Sequence, residues 1–593
     1  MIRSSTIALA AFTVTLVQNV AGAGADNSLF LKWRTRSRFI APAGWMNDPN
    51  GAMYDPEKDE YHLFYQWLPN HVFSTDNKSW GHAVSRDLIT WTDVAHHGTP
   101  AWQNANAEAL APAGGNGSYN SIGIWSGTAA PVSINGTHAL VAFYTSISVL
   151  PVPHPPSGET QSFAISKDNG QTWNNYEGNP VIKTSPEGWD ITGFRDPFFE
   201  AWPEMDQVLQ QQEPHYYLSV GGGIKSVGSR IMFYSAPVSD ITKWTFLGPL
   251  WEPQVGDSPG PNGGDWGYNF EMPNFFSLKD QEGTTRYYLG MGAVAGNLYS
   301  EGTVSQREDG GLAFKPISGS RFDAGQLYAL TSFIDTKHNN RRFQWGWLPE
   351  DFPAEYIPQQ GSQGVFALPR EIFALVTKNL LDPDGKLKNS GAYVTKQDDG
   401  KFQASVLGVK PLPDVLEGLR KGAAFAKFDQ VVVPASVSHI LSTNTTAHTV
   451  EISASFPSSI KGGVIVAASP NKEEYTTVYY DPRSNEIIVD RNHSTTLENF
   501  NKSEIKGYFL PYTTASGTED INLRVFVDGS ILEVYANDRF SLTARIYPDR
   551  ADSVAFGLFN GDGKGAKFSN IQTWVGTGNI WPDRPVNCSS PLL

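Results

Sequence analysis

The sequence predicts an all-β protein, a five-bladed β-propeller followed by a C-terminal β-sandwich. Three observations support this prediction. Helix signals are few, and one aromatic and β-branched strand pattern recurs five times. Hairpin signals then resume after the sequence pattern changes near residue 400. At 593 residues the chain is too long for one hydrophobic core. We place the propeller at residues 24–400, a linker with a short helix at 401–425 and the sandwich at 426–593.

The recurring strands start 77, 77, 71 and 55 residues apart, which leaves room for about four antiparallel strands in each unit. Three of the units continue into a tight turn and a further strand with a tryptophan, at Trp91, Trp173 and Trp244. One large irregular sandwich is the alternative that this pattern leaves open. The five strands are expected at residues 61–67, 138–146, 215–221, 286–291 and 341–347.

The second domain is predicted from hairpins. A helix is expected at 414–421, with Asp414 as its N-cap and Gly422 as its stop. Beyond it, the segments 475–480 and 486–490 flank one turn, and 522–527 and 531–535 flank an Asp-Gly turn, which is a strong hairpin signal. With four further strands, these hairpins predict a sandwich of about 170 residues.

Composition narrows the class of ligand. A net charge of -15 and a pI near 5.3 argue against nucleic acid or an anionic membrane as a partner. Aromatic residues make up 12% of the chain, with 17 Trp, and exposed aromatic faces suit the apolar faces of sugars. The 12 His show no metal-ligand spacing, so we expect no catalytic metal and no cofactor.

The first residues predict export. Arg3, an apolar run over 7–17 and the small residues 21–23 fit a secretory signal peptide at 1–23, and the run is shorter than the roughly 20 residues of a membrane span. Cys588 is the only cysteine, so no intrachain disulfide can form. The signal peptide and the glycosylation sequons predict a secreted, extracellular glycoprotein. Its seven Asn-x-Ser/Thr sequons begin at Asn77, Asn116, Asn135, Asn444, Asn492, Asn501 and Asn587.

Acidic residues recur before four of the five repeated strands. In a propeller the first strand of each blade lines a shared channel, so these acids are expected to converge on one end of it. Two carboxylates that flank an acetal carbon are what glycoside cleavage needs. The acids are Asp48, Asp196, Glu271 and Asp323, which precede the repeated strands by 13, 19, 15 and 18 residues, while the second unit offers Trp125-Ser126 instead.

Three motifs resemble the signature motifs of the β-fructofuranosidases, the invertase, inulinase and fructosyltransferase group known as glycoside hydrolase family 32. They are Trp45-Met46-Asn47-Asp48-Pro49-Asn50-Gly51, Arg195-Asp196-Pro197 and Glu271-Met272-Pro273, and the resemblance spans about residues 30 to 575. It implies Asp48 as nucleophile, Glu271 as acid/base and Asp196 as transition-state stabiliser. Met272 departs from the cysteine of many relatives. The substrate-binding residues implied are Asn47, Gln66, Trp80, Trp125, Ser126, Arg195 and Asp323.

The resemblance implies retaining cleavage of terminal β-D-fructofuranosyl residues from sucrose and fructans. The alternative within the class is a fructosyltransferase that makes short, kestose-type oligosaccharides, since the segments 146–152 and 158–164 resemble fungal fructosyltransferases. Two other readings stay open: another propeller glycosidase such as an arabinanase, and a non-catalytic carbohydrate-binding protein. The sequence is compatible with a monomer or a homodimer.

Overall fold

The computed structural model describes residues 27–115, 117–150, 158–258, 264–443 and 449–585. The predicted signal peptide, Cys588 and the sequons at Asn116, Asn444 and Asn587 lie outside these ranges. Within them, no helix has both the length and the apolar character that crossing a membrane requires.

The described residues before 412 form five sheets in chain order. The first has β1 (Gly44–Asp55), β2 (Glu60–Leu68), β3 (Ser79–Ser85) and β4 (Thr92–Asp93); the second has β5 (Gly123–Ile134), β6 (Thr137–Ile147), β7 (Glu159–Ser166) and β8 (Asn174–Asn175). The third has β9 (Ile191–Ala201), β10 (His215–Ile224), β11 (Gly228–Pro237) and β12 (Thr245–Trp251), with helix α1 (Pro203–Val208) after β9. The fourth has β13 (Glu271–Lys279), β14 (Thr285–Ala293), β15 (Gly296–Gln306) and β16 (Leu312–Arg321).

The fifth sheet ends the first domain. It contains β17 (Tyr328–Asp335), β18 (Arg341–Leu348), β20 (Val365–Phe366), β21 (Arg370–Leu380), β22 (Tyr393–Lys396) and β23 (Phe402–Pro411). Between β18 and β20 the chain forms the short helix α2 (Ile357–Gln360) and then β19 (Ser362–Gln363), which leaves this sheet and joins the first one.

The five sheets are arranged in a closed ring. Each first strand packs against the next, in the order β1, β5, β9, β13 and β17, and β17 packs against β1. β19 pairs in parallel with β1, at Gly44 opposite Ser362, so a segment between two strands of the fifth sheet is hydrogen-bonded to the first sheet. The predicted class, a propeller followed by a sandwich, is confirmed.

The recurring sequence pattern marks the second strand of each sheet. All five predicted strands are present, as β2, β6, β10, β14 and β18. Each lies inside its sheet and is covered by neighbouring sheets on both faces, which is why apolar and aromatic residues run through it almost without interruption. Aromatic rings fill the space between sheets: Phe143 stacks on Phe199 at 5.4 Å, and Phe233 meets Phe275 edge-on at 5.5 Å.

The second domain is a sandwich of two six-stranded sheets around an apolar core. One sheet has β24 (Ala424–Val433), β26 (Thr449–Pro457), β33 (Asp520–Asp528), β34 (Ile531–Ala536), β35 (Phe540–Arg545) and β37 (Ala566–Val575). The other has β25 (Val437–Ser442), β27 (Gly462–Ala468), β28 (Thr476–Asp481), β29 (Glu486–Asp490), β30 (Ile505–Tyr508) and β36 (Ala555–Asn560). A small separate hairpin is formed by β31 (Thr513–Thr514) and β32 (Gly517–Thr518).

The linker helix α3 spans Pro413–Arg420, and its start corrects the predicted cap. Leu412, not Asp414, occupies the N-cap position, without a side-chain hydrogen bond. Pro413 begins the helix because the N–H groups of the first turn have no partner within the helix, so the N–H that proline lacks is not needed there. Its fixed φ also suits that position. Asp414 therefore lies inside the first turn, where its charge still favours the helix N-terminus.

Asp323 lies at the junction of the two domains, which corrects its expected place among the substrate-binding residues. Its side chain is buried and forms an ion pair with Arg370 at 2.9 Å. It also accepts hydrogen bonds from Thr543 of the sandwich, from the backbone N–H at 2.9 Å and from the hydroxyl at 2.8 Å. The carboxylate therefore joins the propeller to β35 and does not face the channel.

Replacing Asp323 should destabilise the protein without changing its chemistry. Asp323→Ala removes the nearer of the two carboxylates that pair with buried Arg370, leaving Glu533 at 3.8 Å, and it takes away the acceptor of the Thr543 N–H and hydroxyl. A buried donor left without a partner costs about 1 to 3 kcal/mol. We expect a lower midpoint in thermal unfolding and a near-normal turnover number at temperatures where the variant is folded. The exposed Asp384→Ala serves as the control. An unchanged midpoint together with lost substrate affinity would instead place Asp323 at the substrate.

Candidate active site

Each of the five first strands has a β-bulge, near its start in β1, β5, β13 and β17 and at its middle in β9. In every case two consecutive residues of the first strand face a single residue of the second strand. Bulges bend a strand and re-aim its side chains, and they recur beside active sites. The bulged pairs and the residues opposite them are Asn47 and Asp48 with Gln66, Trp125 and Ser126 with Thr145, Asp196 and Pro197 with Val220, Met272 and Pro273 with Met291, and Ala329 and Leu330 with Gly346.

The bulges explain the proline that follows the acids. Pro49, Pro197 and Pro273 each lie at or next to a bulge, where the ladder has a gap and a missing N–H costs little. Three bulge residues, Asp196, Met272 and Ala329, adopt the left-handed region with φ of 63°, 46° and 50°. A non-glycine residue holds that conformation only when its surroundings fix it. Here the Asp196 N–H donates to the Thr145 hydroxyl at 2.9 Å and the Met272 N–H donates to Asp196 Oδ2 at 3.0 Å.

Asp48 is held by groups from two neighbouring sheets. The Ser126 hydroxyl of the second sheet donates to Asp48 Oδ2 at 2.5 Å. The Asn47 side chain also hydrogen-bonds to Asp48 and accepts a hydrogen bond from Trp45 Nε1 at 2.8 Å. The carboxylate is half-buried, so its orientation is set while one face stays open to the channel.

Glu271 is held by the two sheets on either side of it. Arg195 Nη1 of the third sheet donates to Oε1 at 3.1 Å, and the Tyr328 hydroxyl of the fifth sheet donates to Oε2 at 2.8 Å. Arg195 is itself oriented by Glu159, whose Oε1 accepts from Nε at 2.7 Å. Hydrogen bonds therefore connect the acids across sheet boundaries, and Asp48, Asp196 and Glu271 meet at one end of the ring.

Burial and crowding control the charges of these acids. Burial raises the pKa of Asp48, and the charge of Glu271 raises it further, while hydrogen bonds from Ser126 and Asn47 and the Lys78 ammonium lower it. Burial also raises the pKa of Asp196 well above its ordinary value, with Glu271 and then Asp48 as further causes. Arg195 opposes this shift in the Asp196 pKa. Asp48 and Asp196 therefore hold protons more readily than free carboxylates do.

Four predicted residues surround the acids at different depths. Trp125 is half-buried, with its Nε1 donating to the Asp76 carbonyl at 2.9 Å, and the cations of Arg195 and Lys78 lie 5.3 and 5.6 Å from its ring centroid. Gln66 and Trp80 are fully buried behind the channel wall. Gln66 Nε2 donates to the Ile124 carbonyl at 3.1 Å and Trp80 Nε1 to the Trp125 carbonyl at 3.0 Å. These two side chains hold the backbone of β5 rather than presenting a surface to a ligand.

The sequence-based prediction missed four residues that complete the site: Tyr328, Glu159, Lys78 and Thr145. Tyr328 could have been found, since it precedes Arg341 by 13 residues, the same spacing as Asp48 before Tyr61. The recurrence of acids in the other units predicts an acid here as well, which points to Asp323, 18 residues before Arg341, and not to Tyr328. The repeat gives no positional signal for the other three: Thr145 lies on a second strand, Glu159 begins the third strand of its sheet, and Lys78 lies in the loop before β3.

In the described part of the chain, no histidine hydrogen-bonds to Asp48, Asp196 or Glu271. His62, His82 and His96 form a buried hydrogen-bonded chain within the first sheet and the loop after it, with ring nitrogens 3.0 and 3.1 Å apart. Burial lowers the pKa of His62 and that of His96 to about 4. In the ranges that the structure describes, no group of three or more His, Cys, Asp and Glu side chains is arranged to hold a metal ion.

A propeller whose first strands bring three acids together at one end, joined to a sandwich, defines the class as a glycosidase. The chain belongs to glycosyl hydrolases family 32. The model of that family's N-terminal domain matches residues 39–383, and the model of its C-terminal domain matches residues 415–575. The resemblance inferred from the three motifs is thereby confirmed.

Individual relatives agree with this assignment. The chain is 27% identical to a levanase of Bacillus subtilis (strain 168), over 96% of this chain and 77% of the relative. Among solved structures, a β-fructofuranosidase of Aspergillus kawachii is 26% identical with a TM-score of 0.81, over 94% of this chain and 96% of that one. A fructosyltransferase of A. japonicus shares the fold, with a TM-score of 0.82 at 23% identity over 94% and 97%.

The Lys78 ammonium should contribute to the acid limit of activity. It lowers the Asp48 pKa, so Lys78→Met should raise that pKa, and Asp48 will then lose its proton only at a higher pH. We expect the acidic limb of the kcat/KM profile for sucrose to move to higher pH. Lys78→Arg keeps the charge and should leave the limb near its wild-type position. A limb that stays in place, or moves to lower pH, in Lys78→Met would contradict the assignment.

Proposed function

We propose that the protein is a β-fructofuranosidase that cleaves terminal β-D-fructofuranosyl residues from sucrose and related fructans with retention of configuration. The observation that carries this proposal is the convergence of Asp48, Asp196 and Glu271, which come from three different sheets and are linked by hydrogen bonds to their neighbours. The names of the relatives support the substrate class, since they include a levanase and fructan exohydrolases.

In the first step Asp48 attacks the anomeric carbon of the fructosyl group. The Ser126 hydroxyl on Oδ2 fixes the carboxylate, and the hydrogen bonds from Ser126 and Asn47 favour its charged form. Glu271 protonates the glycosidic oxygen as that bond breaks. The products of this step are the free leaving group and a fructosyl ester of Asp48.

In the second step Glu271 acts as a base. It takes a proton from water, which attacks the fructosyl carbon and releases Asp48. The Arg195 and Tyr328 hydrogen bonds keep the Glu271 carboxyl in one orientation for both steps. Both donors stay in place whether the carboxyl carries a proton or a charge, which suits a group that must do both in one cycle.

Asp196 has a separate role. The Met272 N–H donates a hydrogen bond to Asp196 Oδ2, and no hydrogen bond from the described residues reaches Asp196 Oδ1. That oxygen is available to accept hydrogen bonds from fructose hydroxyls. The interaction between a buried acceptor of this kind and the fructosyl ring becomes stronger as positive charge develops on the ring. An interaction that is stronger in the transition state than in the ground state stabilises the transition state.

Transfer to a second sugar is the other candidate function. Glu159, which orients Arg195, belongs to the segment 158–164 that resembles fungal fructosyltransferases. A tenfold change in the partition between water and sugar acceptors needs only about 1.4 kcal/mol. Products formed at high sucrose therefore decide between the two: equal release of glucose and fructose indicates hydrolysis, and excess glucose with kestose-type oligosaccharides indicates transfer.

We also propose that the protein is exported and glycosylated. This rests on the apolar leader and on sequons such as Asn135, which is exposed at the turn between β5 and β6. N-terminal sequencing of the mature protein should find a start near residue 24, and glycopeptide mapping should find sugar on Asn135. A mature chain that retains Met1 and carries no glycan would reject export.

Removing the nucleophile tests the function directly. Asp48→Asn should reduce sucrose and inulin cleavage by about 10³-fold or more, because the covalent route is lost. The matched control is Asp59→Asn, at the exposed turn between β1 and β2, which should keep wild-type rates. Sucrose, inulin and levan are the substrates, with the released sugars identified by chromatography. Wild-type turnover in Asp48→Asn would refute the proposed nucleophile.

A further inference from the structure

The strand β24 forms an exposed edge of the sandwich. It is ten residues long, and in the part of the chain that the structure describes it pairs only with β37. Most of its side chains face solvent, including two large apolar ones: Phe425 is 55% exposed and Val432 is 62% exposed. A long edge strand with exposed apolar side chains is a template for pairing with another strand.

The charges on β24 are arranged symmetrically about its centre. Lys427 and Asp429 flank Phe428, and their charged atoms lie 3.3 Å apart within one chain. Both are exposed, at 54% and 91% of the side chain. Because side chains alternate along a strand, Phe425, Lys427, Asp429 and Val431 share one face. Along that face the order is apolar, positive, negative, apolar.

We propose that β24 pairs with β24 of a second copy of this chain, antiparallel and with Phe428 facing its own copy, to form a two-fold symmetric dimer. In this register Lys427 faces the second copy's Asp429 on both sides of the axis. Phe425 faces Val431 in the same way. An interface built on a two-fold axis uses one surface patch twice, so that patch must be complementary to itself, which this face is. The proposal is independent of the proposed enzymatic function.

The register follows from the charges. Sliding the second strand by two residues in either direction would place Asp429 opposite its own copy or Lys427 opposite its own copy. Like charges directly opposite each other destabilise a strand pair, and opposite charges stabilise it. Sliding by one residue would bring side chains of opposite faces into register and lose the apolar pairs. The register centred on Phe428 alone matches both charges and both apolar positions.

Charge reversal provides the test, measured by sedimentation of the full-length protein over a range of concentrations. The wild type should dimerise reversibly. Lys427→Asp and Asp429→Lys each place like charges opposite one another, so each should weaken dimerisation by about tenfold or more. An equimolar mixture of the two variants should form a heterodimer, and the double variant Lys427→Asp/Asp429→Lys should dimerise like the wild type.

The control is Lys401→Asp, which disrupts a similar Lys-Asp pair on a propeller turn and should leave dimerisation unchanged. Sucrose cleavage should be near wild type in all variants, which shows that they are folded. A wild type that stays monomeric at every concentration would overturn the proposal. So would single variants that dimerise like the wild type, or a mixture of the two that gains no affinity over either variant alone.

Discussion

In each first strand, two consecutive residues face one residue of the next strand, and this repeated β-bulge accompanies the functional side chains that all five sheets bring to one end of the ring. A regular strand sends successive side chains to opposite faces. The bulge interrupts that alternation at Asp48 and Asp196 themselves and directly after Glu271. It also creates the gaps in the hydrogen-bond ladder that proline tolerates, which accounts for Pro49, Pro197 and Pro273 beside the three acids.

Bringing three acids together requires compensation, since buried like charges resist ionisation. The compensation comes from residues on other sheets: Ser126 for Asp48, and Arg195 and Tyr328 for Glu271. Arg195 is in turn neutralised by Glu159, whose carboxylate lies 2.7 Å from its Nε. The same hydrogen bonds that balance charge also fix orientation. The hydrogen bonds that compensate the buried charges therefore come from several directions, and together they hold the acids in one arrangement.

The sequence alone predicted the parts of the fold and site that leave a local or periodic signal. The five second strands were found because full burial demands unbroken apolar runs, and Asp48, Asp196 and Glu271 were found because their motifs are short and contiguous. Asp323 was misplaced because an acid was expected where the structure has Tyr328, and its real partners, Arg370 and Thr543, are distant in sequence. The β19 pairing with β1 was also beyond prediction, since two residues carry no strand pattern.

The division of labour between Asp48 and Glu271 is tested most directly by trapping. Glu271→Gln treated with β-fructosyl fluoride, whose fluoride leaves without protonation, should complete the first step and stall before the second, because water is no longer activated. Mass spectrometry of the digested protein should then find one fructosyl group on the peptide that contains Asp48. A fructosyl group on another residue, or fluoride release with no labelled peptide and an inverted product, would contradict this account.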